Sequence, residues 1–508
     1  MRRFHEAAGS GESYSPAEEL FNRRRRTAGL ILGPLAALAI GLAPMPGLSP
    51  AAQSVASVLV LMVIFWMTEA IPLAATALLG PTLVVLLGVV PARTAYAAFA
   101  DPIIFLFIGS FILAEAMFVH RLDRRLAFTA LASPWIGSSA WRLVLVYAGV
   151  SAGLSMWMSN TATTAMFFPL GMAVLAELGR GRSNDPAFQR FAMAMMLVTS
   201  FAASIGGMAT PVGTPPNLIG KGLLLKNAGI DISFAGWMAF GVPLVIVMMG
   251  AVAVWMLYPA SRGIVLSADA TAAVREQLRA LGPLTVAERN VVGAFALTVL
   301  LWILPGVCAL VFGQSAAITT RLSALLPESV AAVVGALLLF FLPVSWRSRR
   351  FTMTWEQAAH IDWGIILLFG GGLAMGGLAD STGLADAFGR WVVSYVPGAG
   401  TVGLTVVFTG VAILMSEAAS NTAAATVIVP TAIAVATAAG VSPLEPALGA
   451  TFGASMGFMM PVSTPPNAIV YSSGYIPIGA MMRNGVVLDI IGYVVIVVGV
   501  LMFGSVVR

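Results

Sequence analysis

The sequence predicts an all-α polytopic membrane protein, with about eleven transmembrane helices and two re-entrant hairpins in an inverted-topology repeat. Composition is the first reason. Of 508 residues, 59% are hydrophobic and 10% charged, with a mean hydropathy of +0.92, more apolar surface than a soluble core can use. The second reason is a duplicated polar motif inside apolar sequence, Ser159-Asn160-Thr161 and Ser420-Asn421-Thr422, each with a serine four residues upstream, Ser155 and Ser416. The third is charge placement. Of 27 basic residues, 21 fall on one side of the spans drawn below, the asymmetry that marks the cytoplasmic face.

Residues 1–26 are polar and end in Arg23–Arg26. With no small-residue cleavage site, they read as a cytoplasmic tail and not a signal peptide. Apolar runs of about 18 to 25 residues mark the spans. The first repeat half, 27–258, opens with spans at about 28–46, 53–68, 72–90 and 101–119. Glu69 and Asp101 sit at span ends, where capping or interfacial roles are expected. The stretch of about 140–178 is too long and interrupted for one span. It reads as a re-entrant hairpin with Ser-Asn-Thr at its tip, since irregular backbone at membrane depth must be buried in protein or line a cavity. A fifth span, about 190–228, is broken at Pro211–Asn217, and a sixth covers about 234–257.

The polar segment 259–289 is expected to be a cytoplasmic linker. The second half, 290–508, supplies spans at about 290–313, 330–344 and 363–380, with a basic loop at Trp346–Phe351. A second hairpin follows at about 400–438. The tenth span, about 446–471, is broken at Pro461–Asn467, and an eleventh ends the chain. Only Arg93, Lys221, Lys226, Arg321, Arg390 and Arg508 then lie outside. The expected location is a cell (inner) membrane, with the N-terminus cytoplasmic and the C-terminus extracytoplasmic.

The two Ser-Asn-Thr copies are 261 residues apart (159 to 420), and the Thr-Pro-Pro-Asn copies at 214–217 and 464–467 are 250 apart. Phe107-Ile108-Gly109 and Phe369-Gly370-Gly371 are offset by 262. Five spans separate the hairpins. An odd number inverts the second half, so the two tips meet near the midplane, as in inverted-repeat transporters.

A broken helix leaves free N–H groups and partial positive charge at the start of its second half. Asn, Ser and Thr add neutral donors, so a carboxylate can be held without Lys or Arg. Freed carbonyls, the Ser155 and Ser416 hydroxyls and the Asn160 and Asn421 amide oxygens suit a hard cation such as Na⁺. One Asn can offer its oxygen to the cation and its NH₂ to the anion, which couples the two events. Two facing sites imply a dianion, either a four-carbon dicarboxylate or, with closer tips, sulfate. Glu417, beside Ser416, has no acidic counterpart at Met156; it is either functional or placed at a cavity wall or helix end. Lys221 is read as water-facing or snorkelling. An intramembrane hydrolase would need a general base, and no His or Lys lies near either motif. A channel would display charge rings or a carbonyl filter. The lone Cys308 excludes an internal disulfide and a Cys-based metal site. No cofactor and no nucleic-acid partner are expected.

Trp66-Met67-Thr68-Glu69-Ala70-Ile71-Pro72-Leu73, with both Ser-Asn-Thr and both Thr-Pro-Pro-Asn motifs, resembles the divalent anion/sodium symporter family. That family includes bacterial dicarboxylate transporters and animal citrate, dicarboxylate and sulfate carriers. The resemblance implies a homodimer whose protomers each have a scaffold and a transport domain moving as an elevator. It implies substrate contact by Ser159, Asn160, Thr161, Ser420, Asn421 and Thr422, with Thr464 and Pro465 nearby and Thr214 and Pro215 at the matching break. It implies one Na⁺ site at Ser155, Ser159, Asn160 and Gly213, and another at Ser416, Ser420, Asn421 and Ser463. Ser463 departs from the small apolar residue expected there, a change that is harmless if a backbone carbonyl is the ligand. The expected function is Na⁺-coupled import of C4-dicarboxylates. Sulfate symport and sodium-independent exchange are the alternatives.

Overall fold

The computed structural model describes residues 16–504, apart from 181, 183, 184, 267, 314, 396, 397 and 399. Most of the expected N-terminal tail, the C-terminal residues 505–508 and the dipeptide Ser183-Asn184 therefore lie outside the described residues.

The first half begins with α1 (Pro16–Leu42), α2 (Pro50–Thr68), α3 (Leu73–Leu86) and α4 (Pro102–Val119). Their starts follow local rules. Ser49 accepts from Ala52 N at 3.1 Å and Asp101 from Ile103 N at 3.0 Å, each with proline at the first helical position. Glu69 ends α2 in a left-handed conformation and pairs with Arg25 at 3.1 Å. Both acidic residues thus sit at helix ends as expected. Next come α5 (Leu122–Leu131), α6 (Ala140–Ser155), α7 (Asn160–Leu178), α8 (Pro186–Gly207), α9 (Pro215–Ala228) and α10 (Phe234–Val252). The helix of α10 runs on as far as Ser261, through a π turn at Ala253–Leu257.

The second half holds α11 (Val286–Phe312), α12 (Ala317–Leu325), α13 (Glu328–Phe341), α14 (Trp363–Ser381), α15 (Leu384–Tyr395), α16 (Thr401–Ala418), α17 (Asn421–Ala438), α18 (Leu444–Gly453), α19 (Pro465–Tyr471) and α20 (Ile478–Phe503). Besides the unexpected short helices α5 and α15, two connections depart from the all-helical, loop-linked expectation. The basic loop after α13 is a small antiparallel ribbon, β1 (Pro343–Ser345) with β2 (Arg350–Phe351). The polar linker carries a helix, Ala268–Ala280, before Thr285 and Glu288 cap α11 reciprocally.

Among the described residues, eleven helices are long and apolar enough to cross a membrane. The number equals the expected count, but its members differ. α7, α16 and α17 pass on length, whereas α3 and α13 are only 14 residues each. α12 and α13 meet at a 55° bend and together make a further candidate span.

Matching motif positions of the two halves pack alike. Gly109 of α4 lies against the Ala332 backbone of α13, and Gly371 of α14 lies against the Ala77 backbone of α3. A side chain at either glycine would force the paired helices apart. The repeat-related rings of Phe107 and Phe369 touch, with centroids 5.2 Å apart. Pro169 and Pro430, 261 residues apart, occupy matching places inside α7 and α17. The short helices after the Thr-Pro-Pro-Asn breaks cross over. α9 packs on α17 and α18, while α19 packs on α7 and α8. Each half therefore inserts a helix into the other, and α8, the most enclosed of the eleven long helices, lies at the centre.

Candidate functional site

Ser155 ends α6, and Ser159 caps α7 by accepting from Ala162 N at 3.2 Å. The Ser155 hydroxyl donates to Asn160 Oδ1 at 2.8 Å. The second half repeats this. Ser420 caps α17 through Ala423 N at 3.2 Å, and the Ser416 hydroxyl donates to Asn421 Oδ1 at 2.8 Å. The capping serine serves one N–H of the first turn. The leading N–H groups of the Asn and Thr beside it have no intrahelical acceptor. Ser155 and Ser416 are fully buried, Asn160, Thr161, Ser420, Asn421 and Thr422 are half-buried, and Ser159 is exposed. Each motif therefore presents an accessible polar edge backed by a buried hydroxyl.

The Pro-Pro breaks are held by their asparagines. Asn217 Nδ2 donates to the carbonyls of Gly207 (3.0 Å) and Thr210 (2.8 Å). Asn467 Nδ2 donates to those of Gly457 (2.9 Å) and Met460 (3.0 Å), at the same spacings along the chain. The amides act as clips that close two unwound segments onto their own carbonyls. Ser200 of α8 donates to Asn467 Oδ1, so a side chain of the first half fixes the break of the second. The repeat-related position to Ser200 is Ala450, and Asn217 Oδ1 is buried with no hydrogen-bond partner. The first break thus lacks a bond that the second has.

Oxygen atoms converge at the first break. A Cβ on Gly207 would overlap Asn160 Oδ1 and lie 3.1 Å from the Gly213 carbonyl. A Cβ on Gly213 would lie 2.5 Å from the Gly207 carbonyl and 2.9 Å from that of Met156. Ser155, Asn160 and Gly213 are therefore brought together with two further carbonyl donors, Met156 and Gly207. An all-oxygen, uncharged donor set fits an alkali cation. Among the described residues no group of three or more His, Cys, Asp or Glu could hold a metal. At the second break a Cβ on Gly457 would lie 3.1 Å from Asn421 Oδ1 and 3.2 Å from Ser416 Oγ. Ser416 also donates to the Ala454 carbonyl at 2.9 Å.

Ser463 takes the place of Gly213, and its hydroxyl donates to Glu417 Oε2 at 2.6 Å. Glu417 Oε1 accepts the backbone N–H groups of Phe458 and Met459. This buried carboxylate staples the second break, whereas in the first Thr210 donates to the Met156 carbonyl. Asp489 of α20 is buried beside the Glu417 carboxyl, and Gly485 of the same helix packs against the Phe458–Met459 backbone. Sequence reading left Glu417 open and missed Asp489, whose one signal was an acid inside an apolar run. Thr464 caps α19 through Asn467 N at 3.3 Å, while Thr214 is buried and makes no such cap. Pro465 is exposed and Pro215 half-buried.

Lys221 is neither water-facing nor snorkelling. It is 4% exposed and ion-paired with Glu328, whose other oxygen accepts Phe234 N at 2.6 Å. A buried ammonium must be paired, and its partner, 107 residues away, opens α13. Lys226 reaches the Leu373 carbonyl at 2.9 Å. Both lysines of α9 tie the helix after the first break to its neighbours α13 and α14.

The family described as sodium:sulfate symporter transmembrane region matches residues 25–508. The chain belongs to the sodium:sulfate symporter family. It is a transporter, not an enzyme, and the resemblance read from its motifs holds. The sodium-dependent dicarboxylate transporter SdcS of Staphylococcus aureus strain USA300 is 34% identical over 475 residues, covering 92% of this chain and 89% of SdcS. The fold is similar to that of the Alcanivorax borkumensis YdaH transporter, with a TM-score of 0.52, 15% identity and coverage of 81% and 87% of the two chains. It is also similar to Neisseria gonorrhoeae MtrF, with a TM-score of 0.52, 11% identity and coverage of 80% and 81%. At those identities the likeness concerns the fold alone.

Proposed function

We propose that this symporter-family chain is a secondary carrier that imports C4-dicarboxylates of the succinate, malate and fumarate type with Na⁺. The observation that carries the reading is the pair of matched hydroxyl–amide bonds, Ser155 to Asn160 and Ser416 to Asn421, each behind the open N-terminus of a helix. The oxygen atoms on the buried side take Na⁺. The Asn NH₂ groups, the Ser159, Thr161, Ser420 and Thr422 side chains and the leading N–H groups take the carboxylates, with Thr464 and Pro465 at the rim. Na⁺ fixes the amide, and the amide then faces the anion, so each ligand raises the affinity for the other. The dicarboxylate named in SdcS supports this substrate class.

In this reading the pairs α6/α7 and α16/α17 are re-entrant hairpins that enter the bilayer from opposite faces. The crossed packing of α9 and α19 supports that inverted arrangement. The hairpins, broken helices and α10 and α20 form a transport unit that moves as an elevator against a scaffold of the remaining spans, in a homodimer in the cell (inner) membrane. The N-terminus is cytoplasmic. Sulfate is the second reading, favoured by the family's description. Labelled succinate uptake into proteoliposomes tests the proposal. Uptake driven by an inward Na⁺ gradient and resistant to excess sulfate supports it. Gradient-independent uptake refutes sodium coupling, and displacement by sulfate favours the second reading.

A further inference from the structure

A groove of about 330 Å³ runs between α6 and the α10 span, lined only by apolar residues. That volume is at the low end of small-molecule sites, roughly 300–1,000 Å³. On α6 its floor is Leu145, Gly149 and Gly153, and on the opposite wall Gly250 and Ala253. Cβ atoms added at Gly149, Gly153 or Gly250 would meet nothing within 4 Å, so the missing side chains leave open space. The opposite wall includes the start of the π turn at Ala253–Leu257, a distortion frequent at functional sites.

The mouth of the groove is basic and aromatic. Leu145 lies one turn beyond Trp141, whose ring meets that of Tyr258 edge-on at 5.4 Å. The Arg262 guanidinium stacks over Tyr258 at 4.5 Å, and Arg142 over Trp135 at 5.4 Å. Arg262 follows directly on Ser261, the last residue of a candidate membrane span, and so stands at the membrane boundary. Backbone pairing between Ser139 and Val265 holds the two segments together. Both arginines are exposed, and among the described residues neither has a carboxylate partner. An apolar slot in a bilayer ending at two exposed guanidinium groups, of which Arg142 also donates to the Trp135 carbonyl at 3.0 Å, and an aromatic pair has the polarity of a phospholipid.

The geometry points to a phospholipid site, with an acyl chain in the α6–α10 groove and an anionic head group at Arg142 and Arg262. Met156 and Ala209 line the groove at the end away from Leu145 and Leu257. The Met156 carbonyl belongs to the oxygen cluster of the first break, and Ala209 lies within that break. A bound chain therefore packs behind the backbone that shapes the candidate cation site.

Native mass spectrometry of the full-length protein in detergent, titrated with phosphatidylglycerol or phosphatidylcholine of identical chains, tests this. The wild type is expected to retain phosphatidylglycerol over phosphatidylcholine by roughly tenfold or more, the effect of two basic residues beside an anionic head group. Arg142→Gln/Arg262→Gln should abolish that preference. Gly149→Leu/Gly153→Leu, which fills the slot, should lower retention of both lipids. Leucine improves helix propensity at both positions, so the second variant keeps the test open if the first folds poorly. Equal retention of the two lipids by the wild type, or undiminished retention by the filled variant, overturns the proposal. A change in oligomeric mass of the filled variant also overturns it, because the groove would then be a seam between protein chains.

Discussion

Replacing Gly207 by alanine puts a methyl group on top of Asn160 Oδ1 and 3.1 Å from the Gly213 carbonyl. The amide must retreat by about an ångström to restore ordinary contact. It then leaves both the Ser155 hydroxyl and the carbonyls of the break. A displacement of that size costs on the order of a hundredfold at a site that depends on geometry, and disturbed support of a metal ligand costs about 10–100-fold. An increase of about 10–100-fold in the half-saturating Na⁺ concentration is therefore expected, about 1.4–2.8 kcal/mol. The fold should survive. Gly207 is the last residue of α8, where alanine gains about 0.5–1 kcal/mol of backbone entropy against about 1–3 kcal/mol of overpacking. Gly457→Ala is the internal control. Its Cβ would lie 3.1 Å from Asn421 Oδ1 and 3.2 Å from Ser416 Oγ, distances relieved by shifts of a few tenths of an ångström. Its effect should be about twofold to fivefold, under about 1 kcal/mol. Sodium activation curves for dicarboxylate uptake in proteoliposomes, measured on both variants, decide the matter. Equal effects, or an unchanged Gly207→Ala curve, would refute the assignment of a cation to the oxygen cluster at the first break.

Asn160→Ala and Asn421→Ala should each abolish uptake while the purified protein keeps its size-exclusion profile; wild-type uptake by either would contradict their shared role. Lys221→Met leaves the half-buried Glu328 without its cation and should cost about 1–3 kcal/mol. Lys221→Met/Glu328→Gln should recover most of it in a thermal-unfolding assay. Ser200→Ala leaves Asn467 Oδ1 without its donor and should cost about 1–3 kcal/mol, whereas Ala450→Ser, at the repeat-related site, should raise the melting temperature by offering Asn217 Oδ1 a partner. Asp123, outside the long spans in α5, is buried, and burial pushes its carboxyl up from 3.8 to about 6. A raised folded-state value contributes stability below about pH 4 that is lost as pH rises through about 6. Asp123→Asn should therefore raise the melting temperature at pH 7.5 and leave it unchanged near pH 4.

The sequence exposed the parts of this molecule that break a local pattern. Ser-Asn-Thr and Thr-Pro-Pro-Asn are conspicuous because polar residues and prolines interrupt apolar runs, and their spacing alone relates the two halves. Helix starts at Ser49-Pro50 and Asp101-Pro102 are equally local. The amphipathic helices α5, α15 and Ala268–Ala280 escaped because each is too short and too polar for a hydropathy window. The Lys221–Glu328 and Ser200–Asn467 contacts were illegible for another reason. Their partners are 107 and 267 residues apart, and nothing near Ser200 distinguishes it from any serine in an apolar helix. Glu417 was visible as an odd acid, but its hold on Phe458, Met459 and Ser463 depends on how the second break folds back.

Titration calorimetry of succinate into the purified protein is the sharpest test, because in the proposed mechanism the two Ser-Asn-Thr tips hold the dianion only when an alkali cation fixes the amides of Asn160 and Asn421. In Na⁺ this mechanism gives saturable heat of binding. In K⁺ it gives none, and an equal loss in Na⁺ for Asn160→Ala and Asn421→Ala. Binding of the same affinity in both salts, or binding that survives either substitution, would contradict it.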